Sequence, residues 1–397
     1  MKISNRVSST ISSPLRKFVP YAEAAKKKGI KVYHLNIGQP DLEIPKQIKS
    51  KINNFKEDVL AYTHSAGTIE LRTAWSKYLK SQNVKIKPED VIVATGGSEA
   101  MLWALLLMLN PGEEMIVFEP FYSNYKSLAK ISGVKLVPVT TKVEENFCLS
   151  SDTEIKKQIT KKTKAILVVN PSNPTGTIYS KKDLLRLVNI AKKNKLWLLA
   201  DETYRELVFS GKPVYSLLRF PEVKDQVILV DSVSKRLSVC GARIGCLVSH
   251  NKEVTANTLK LAQARLASPA IEQQIVCNLL KNCKSYTKQI TKEYYKRSQV
   301  VYQGLQKIPG VVSSKPAGAF YIIAKLPIDD SEKFVQWMLE KFNHNKETVM
   351  VSPAKDFYMT NGKGKNEVRI AYVLSIPKLK RAMELLQLGI NQYQKKM

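Results

Sequence analysis

The sequence predicts an α/β protein, in which a large domain with a mostly parallel sheet between helices is joined to a smaller α+β domain built from both ends of the chain. Two observations support this prediction. Between residues 68 and 250, short apolar, β-branched runs alternate with longer helical patterns, and the runs are too apolar to leave one face in solvent. Past Pro269 the pattern changes to a long helix followed by short strands and helices.

The elements of the large domain follow in order along the chain. Apolar runs predict strands at 91–94, 115–118, 134–139, 165–169, 196–200, 227–230 and 245–248. Helical periodicity predicts helices at 98–109, about 122–132 and 181–194. Because apolar strands separated by helices are typical of parallel sheets, we expect one sheet with helices on both faces.

The smaller domain is predicted from a different pattern. A helix runs through 294–305, and strands are expected at 311–314, 319–324 and 368–371. The segment 32–37 is predicted to be a strand of this domain or a bridge to it. We therefore predict that residues 1–46 belong to the smaller domain, that 47–290 form the large domain and that 291–397 complete the smaller one.

The composition excludes two classes of protein. Of the 397 residues, 44% are hydrophobic, which is too many for a disordered chain. The longest apolar run, at 101–109, is about half the length of a membrane-spanning helix, so no membrane association is expected. Single cysteines at 148, 240, 246, 277 and 283 indicate reduced thiols, and with them a cytoplasmic protein.

The chain is strongly basic, with 63 Lys and Arg against 34 Asp and Glu and a net charge of +29. Such a surface attracts nucleic-acid phosphates whatever their sequence. Here the basic residues are spread from Lys2 to Lys396 rather than gathered in one patch. This distribution favours a compositional bias, and no nucleic-acid partner is expected.

A lysine follows one of the predicted strands directly. The segment SVSK occupies 232–235, and GARIG at 241–245 adds Arg243. Side chains at the carboxyl ends of parallel strands face the crevice where such sheets bind ligands. The two serine hydroxyls and the guanidinium could bind a phosphate, and the amine of Lys235 could form a Schiff base.

Three further motifs follow other predicted strands: NPSNPTG at 170–176, ADETY at 200–204 and GGS at 96–98, which opens an apolar helix. Glycines allow close approach of the backbone, and free N–H groups at a helix start favour an anion. Together and in this order, the motifs resemble those of the class I/II aminotransferases, which are pyridoxal-phosphate-dependent enzymes of fold type I. The resemblance runs from about Pro14 to the C-terminal helix.

The resemblance implies a site for pyridoxal 5'-phosphate. Lys235 would hold the cofactor as a Schiff base and carry a proton during the reaction. Asp201 would pair with the protonated pyridine nitrogen, and Asn173 and Tyr204 would donate to the phenolic oxygen. The bond between Asn173 and Pro174 is expected to be cis, as in members of the family.

The resemblance also assigns residues to the cofactor's phosphate and ring. Those expected at the phosphate are Gly97, Ser98, Ser232, Ser234 and Arg243. An aromatic side chain of the family stacks on the pyridine ring at the position after the strand 115–118. Tyr122 fits this position better than Phe121, although either ring could belong to the core.

Two segments would bind substrate. Arg369 matches the family arginine that binds the α-carboxylate, for which a planar guanidinium is suited, and a structural salt bridge is the alternative. Gly38, within LNIGQPD, resembles the segment that closes over the substrate, and Asn173 would also face it. Tyr62 resembles the tyrosine that reaches the phosphate of the neighbouring subunit, which implies a homodimer with shared active sites.

The predicted activity is ping-pong transfer of an amino group from an amino acid to a 2-oxo acid. The segments around 14–41 and 232–245 look most like the aspartate branch of the family, so aspartate and 2-oxoglutarate are the predicted pair, although no residue is assignable to the distal carboxylate. Aromatic amino acids or alanine are alternative donors, and a carbon–sulfur lyase is an alternative enzyme.

A nucleic-acid-binding regulator on this fold would need a winged helix, for which the lead before Pro14 leaves no room. The four histidines are scattered, so no metal site is predicted.

Overall fold

The structure, a computed structural model, describes residues 1–10, 13–45, 48, 58–211 and 214–396. Its strands are β1 Lys31–His34, β2 Val91–Ala94, β3 Glu114–Glu119, β4 Lys135–Thr140, β5 Thr163–Val169, β6 Trp197–Asp201, β7 Val227–Ser232, β8 Gly245–Val248, β9 Val312–Ser313, β10 Tyr321–Lys325, β11 Glu347–Met350, β12 Ser352–Pro353 and β13 Glu367–Ala371. Its α-helices are α1 Asn5–Ser8, α2 Val19–Lys27, α3 Ile69–Ser81, α4 Gly97–Met108, α5 Asn124–Ser132, α6 Asp152–Lys157, α7 Lys181–Asn194, α8 Val233–Arg236, α9 Lys252–Ala264, α10 Ala270–Asn282, α11 Lys284–Gln306, α12 Ser331–Glu340 and α13 Ile376–Gln394.

The central sheet of the described residues has seven strands in the order β2-β8-β7-β6-β5-β3-β4. The strands from β7 to β4 are all parallel, whereas β8 runs antiparallel to both of its neighbours, β2 and β7. Consequently β2 runs in the same direction as β7. The carboxyl ends of β2, β3, β5, β6 and β7 therefore lie along one edge of the sheet. The motifs at 96–98, 170–176, 200–204 and 232–235 lie at these ends, and GARIG at 241–245 reaches the same edge at the amino end of β8.

Local sequence explains where several helices begin and end. The side chain of Thr68 accepts a hydrogen bond from the backbone N–H of Leu71 at the start of α3. A reciprocal pair of hydrogen bonds between Ser180 and Asp183 caps α7, and Gly133 ends α5 in the left-handed conformation that glycine adopts without strain. Each such cap contributes about 1 kcal/mol.

The smaller unit contains two sheets. β1 pairs in parallel with β11, and β12, β13, β10 and β9 form an antiparallel sheet in that order. Side chains of α11, α12 and α13, such as Tyr294, Phe334 and Leu386, share one apolar core with Ile322 of β10. Because β1 lies near the amino end of the chain and β11 near the carboxyl end, both ends contribute to this unit.

The predicted fold class is confirmed. Among the details that differ, the helix predicted from about 122 begins at Asn124, and β11, β12 and several helices, such as α3, had no predicted counterpart. The sheet is mostly parallel as predicted, and β8 is its antiparallel strand. An apolar run shows that a strand is covered on both faces but says nothing of its direction. The domain boundaries near 46 and 290 stay a prediction; the first lies outside the described residues, and the second falls within the unbroken helix α11.

Candidate active site

The carboxyl edge of the central sheet opens into a cavity of about 460 Å³ between the two units. The ends of β2, β5, β6 and β7 contribute polar side chains or backbone groups, and the smaller unit contributes residues from β10, β13 and the segment after β1. The predicted residues that line this cavity are Gly38, Gly97, Ser98, Tyr122, Asn173, Asp201, Tyr204, Ser232, Ser234, Lys235, Arg243 and Arg369.

One end of the cavity has the chemistry of an anion site. Helix α4 begins at Gly97, so its first backbone N–H groups have no partner within the helix and attract negative charge. Beside them, the Oγ atoms of Ser232 and Ser234 lie 2.9 Å apart. A Cβ atom at Gly96 would collide with Nη2 of Arg243, so glycine is what allows the guanidinium to lie against the backbone here.

Lys235 projects from α8 into the cavity. Its Nζ donates a 2.9 Å hydrogen bond to the carbonyl oxygen of Gly38. Burial is the main cause that lowers the pKa of Lys235 to about 8. The positive charges of Arg369 and Arg243 also lower this pKa, whereas Cys240 raises it. Only a neutral amine attacks a carbonyl carbon, and at pH 7 about a tenth of Lys235 is neutral, against about 1 in 2,500 for an ordinary lysine.

Asp201, the last residue of β6, is held by two hydrogen bonds. The hydroxyl of Tyr125 donates to Oδ2 at 2.7 Å, and the backbone N–H of Thr203 donates to Oδ1 at 3.1 Å. Burial raises the pKa of Asp201, and these two hydrogen bonds oppose that rise. A buried carboxylate of this kind is stabilised in its charged form by a cation, which suits it to a protonated ring nitrogen.

Arg369 is 1% exposed and is oriented by polar groups from both units. Its Nη1 donates to Oδ1 of Asn173 at 3.1 Å, its Nη2 donates to the carbonyl oxygen of Asn36 at 2.6 Å, and its guanidinium lies 4.5 Å from the ring of Tyr321. Among the described residues no carboxylate pairs with it. A buried guanidinium without a counter-ion has the chemistry to bind a carboxylate ligand.

Tyrosines form one wall of the cavity. The hydroxyls of Tyr204 and Tyr321 lie 2.9 Å apart, and Tyr122 meets Tyr125 edge to face with 5.6 Å between ring centres. Burial raises the pKa of Tyr122, against the positive charges of nearby arginines. Phe121, the alternative to Tyr122, is 2% exposed and packs in the core, so Tyr122 is the ring that faces the cavity.

Comparison with known families agrees with this geometry. A family model described as aminotransferase class I and II matches residues 30–386. The chain belongs to this family.

Individual relatives match along nearly the whole chain. The aspartate aminotransferase of Bacillus subtilis (strain 168) is 30% identical over 404 aligned residues, which cover 99% of this chain and 100% of the relative. The solved structure of an aspartate aminotransferase from Thermus thermophilus with maleate has a TM-score of 0.89 at 26% identity, covering 98% of this chain and 100% of that one. For an alanine aminotransferase from Pyrococcus furiosus the TM-score is 0.90 at 31% identity, with the same coverage.

Class I and II aminotransferases are pyridoxal-phosphate-dependent enzymes, and this chain is an enzyme of that kind. The cavity fits the cofactor. Its anion end combines serine hydroxyls, free backbone N–H groups and Arg243, and its other polar groups include a carboxylate on Asp201 and the amine of Lys235. The predicted cis bond between Asn173 and Pro174 is present, and the bond between Asn170 and Pro171 is also cis.

One predicted residue of the aminotransferase lies apart from the others. The side chain of Tyr62 is 81% exposed and does not line the cavity of its own chain. Its contact with the phosphate of a neighbouring subunit stays a prediction.

The residues of the cavity that were not predicted include four polar ones that bear on its chemistry: Arg16, Tyr125, Thr203 and Tyr321. Tyr125 follows Tyr122 by three residues and Thr203 lies inside the ADETY motif, so helical spacing and the motif itself could have indicated both. Tyr321 stands in an apolar strand and is typical of a core residue by sequence. No pattern in the sequence distinguishes Arg16 from the other basic residues near the amino end.

The described part of the chain lacks a metal-binding cluster and a membrane-spanning helix. No group of three or more His, Cys, Asp or Glu side chains there could hold a metal ion. No helix there is long and apolar enough to cross a membrane.

Proposed function

We propose that this aminotransferase transfers the amino group of aspartate to 2-oxoglutarate. The observation that carries the choice of a dicarboxylic substrate is the position of Arg16, which lines the cavity and whose side chain has neither a hydrogen-bond nor an ion-pair partner among the described residues. Burial raises the pKa of Tyr122, and the positive charges of Arg369 and Arg16 both oppose that rise, so both charges act at this tyrosine. A substrate with two carboxylates can therefore occupy two guanidiniums near one tyrosine.

At the reacting carbon, the residues of the chain have separate tasks. Bound pyridoxal phosphate supplies an electron sink for the electron pair left when the substrate Cα loses its proton. Arg369 holds the α-carboxylate, and the Nζ of Lys235, with a pKa of about 8, takes the proton from Cα. Asp201 keeps a proton on the ring nitrogen by charge pairing.

Asn173 connects the substrate and cofactor positions. Its Oδ1 accepts the hydrogen bond from Arg369, so its Nδ2 is left to donate to the phenolic oxygen of the cofactor. Tyr204, oriented by Tyr321, is the second donor to that oxygen. A change in the position of Arg369 would therefore be transmitted to the cofactor ring through one amide group.

We further propose a homodimer in which Tyr62 of one subunit reaches the phosphate site of the other. The exposure of this tyrosine, at 81%, supports the proposal, because Val59 and Leu60 beside it are also exposed, and a group of exposed apolar side chains is typical of an interaction surface. All five cysteines are free, which supports the predicted cytoplasmic location.

The names of the relatives support a dicarboxylic substrate. The Bacillus subtilis relative is named an aspartate aminotransferase, and the Thermus thermophilus structure is described with maleate, which is a dicarboxylate. The Pyrococcus furiosus alanine aminotransferase is equally similar in fold, so the choice of donor rests on Arg16 rather than on overall similarity.

A screen of half-reactions tests the proposal. Each amino acid is added alone to the purified holoenzyme, and conversion of the cofactor to its amino form is followed by absorbance. We expect aspartate and glutamate to react faster than alanine or the aromatic amino acids, and aspartate with 2-oxoglutarate to yield oxaloacetate and glutamate in equal amounts. Faster conversion by alanine or an aromatic donor would overturn the proposal that aspartate is the amino-group donor. Release of ammonia and pyruvate from a cysteine conjugate without an acceptor would indicate a lyase.

A further inference from the structure

A group of buried charged side chains lies next to the segment that carries Lys235. We call it the buried ion cluster; its members are Glu202, Arg205, Glu206, Asp231 and Arg236. The side chain of Glu206 is 11% exposed and those of the other four are at most 2% exposed. None of the five is among the residues that line the active-site cavity.

One ion pair of the cluster connects the two ends of the segment 231–236. Nη1 of Arg236 lies 2.5 Å from Oδ1 of Asp231, and the same oxygen accepts a hydrogen bond from the backbone N–H of Ser232 at 2.7 Å. Between the two charged residues lie both serines of the anion site and Lys235. Because α8 has only four residues, its helical hydrogen bonds give the segment little support. Backbone pairing holds only its beginning, where Ser232 pairs with Gly245 and the N–H of Val233 donates to the carbonyl oxygen of Ile244.

The two charged side chains are themselves held from several sides. Nε1 of Trp75 donates to Oδ2 of Asp231 at 3.1 Å. The guanidinium of Arg236 lies 4.5 Å from the ring of Tyr78 and 5.7 Å from that of Trp75, and its Nε is 3.4 Å from Oε2 of Glu206. Burial alone would lower the pKa of Arg236, but Asp231, Tyr78 and Glu206 together more than offset this, so the pKa is raised and the guanidinium stays charged.

The net stability that such a pair contributes does not explain its presence, because well-packed apolar side chains of similar size are often as stabilising as a buried ion pair. A direct electrostatic effect on the amine does not explain it either. The charges that shift the pKa of Lys235 are those of Cys240, Arg369 and Arg243, and the cluster is not among them. The remaining explanation for the pair is geometric. A directional ion pair between two fixed side chains constrains the course of the backbone between them.

We propose that Asp231 and Arg236 are positioning residues, which set the direction of the Lys235 amine and the placement of Ser232 and Ser234 at the anion site. This inference rests on the proposed role of Lys235. It predicts that loss of the pair changes how the chain binds pyridoxal phosphate, and not only how stable the chain is.

The test is Arg236→Met in the full chain, which keeps a long side chain against Trp75 and Tyr78 but removes the guanidinium. The dissociation constant of pyridoxal phosphate is measured by reconstitution, and the visible absorbance of the bound cofactor is titrated against pH. We expect the dissociation constant to rise about tenfold or more, since small displacements of reacting groups have large effects. We expect the midpoint of the titration to move by about half a pH unit or more.

Arg205→Met is the matched control, because Arg205 is equally buried in the cluster but pairs with Glu202, outside the segment 231–236. We expect it to lower the unfolding temperature by a similar amount but to change both cofactor measurements much less than Arg236→Met does. Should Arg236→Met lower only the unfolding temperature, or should Arg205→Met move both cofactor measurements equally, the positioning role is wrong.

A second variant covers the case in which Arg236→Met does not fold. The double change Asp231→Asn with Arg236→Gln removes both charges of the short ion pair, so that only Glu206, with 11% of its side chain exposed, loses its cation. We expect the same two shifts in reduced size. Wild-type values in this double variant would overturn the proposal. Failure of the proposed role of Lys235 is seen separately, because the visible absorbance of the bound cofactor would then persist in Lys235→Ala.

Discussion

The active-site cavity has two halves that are built in different ways. The cofactor half, formed by 96–98, 201–204 and 232–235, consists of short segments that each directly follow a strand of one sheet. The substrate half brings together Arg16 and Arg369, which are more than 350 positions apart in the chain. The cofactor half therefore depends on a single rigid sheet, whereas the substrate half exists only when both units are folded against each other. A change in the first should affect every reaction, and a change in the second should affect substrates selectively.

Lys235→Ala tests the cofactor half and has the largest expected effect. Removal of the amine eliminates both the covalent link to the cofactor and the group that moves the substrate proton, so we expect turnover to fall about 10³-fold or more for every donor. Absorbance spectra and steady-state rates check this. If the variant keeps the visible band and its turnover is within tenfold of the wild type, another residue forms the covalent link and moves the proton.

Arg369→Ala tests whether the substrate half can be changed without the cofactor half. Loss of a buried, charge-assisted contact with the α-carboxylate should raise the apparent KM about 100-fold for all amino acids alike. The control is Arg381→Ala, because Arg381 pairs with Glu347 and Glu384 outside the cavity and should leave KM unchanged. An effect confined to one donor would contradict α-carboxylate binding.

The pH dependence of cofactor binding sharpens the contrast, because it belongs to the cofactor half alone. Burial lowers the pKa of Lys235 to about 8, so the reactive neutral amine increases as the pH rises towards that value. Between pH 6 and pH 8 its fraction grows about 50-fold, and the rate at which the apoprotein combines with pyridoxal phosphate should follow. Stopped-flow absorbance measures this rate; a midpoint near 10 would contradict the lowered pKa.

Arg16→Gln has the smallest expected effect and is the most selective test. Because the side chain is exposed, we expect only about a tenfold rise in KM for aspartate and 2-oxoglutarate, with alanine unaffected. The neighbouring Lys17 is also a cation but pairs with Glu332 and does not line the cavity, so Lys17→Gln is the control. An equal rise in KM for alanine would remove the support that Arg16 gives to a dicarboxylic substrate.

The same two halves explain which residues could be found from sequence. Lys235 and Asp201 follow apolar strands directly, and a residue at the end of a parallel strand has its place determined locally. Tyr321 lies within the apolar strand β10. Its hydroxyl contacts that of Tyr204 only because strands of the smaller unit lie over the sheet of the large one. Arg16 carries no local signal, since it is one of 63 basic residues.

The sequence by itself determined the fold class, the family and the cofactor, because these depend on periodicity and on motifs whose residues are close together in the chain. The tertiary structure decided which charges meet in the cavity. It placed Arg16 and Arg369 in the wall of one cavity, joined Asn173 to Arg369 by a hydrogen bond, and buried the pair Asp231–Arg236 at the two ends of the segment that carries Lys235. The physical reason is that a charge acts through distance and burial, and neither can be read from its position along the chain.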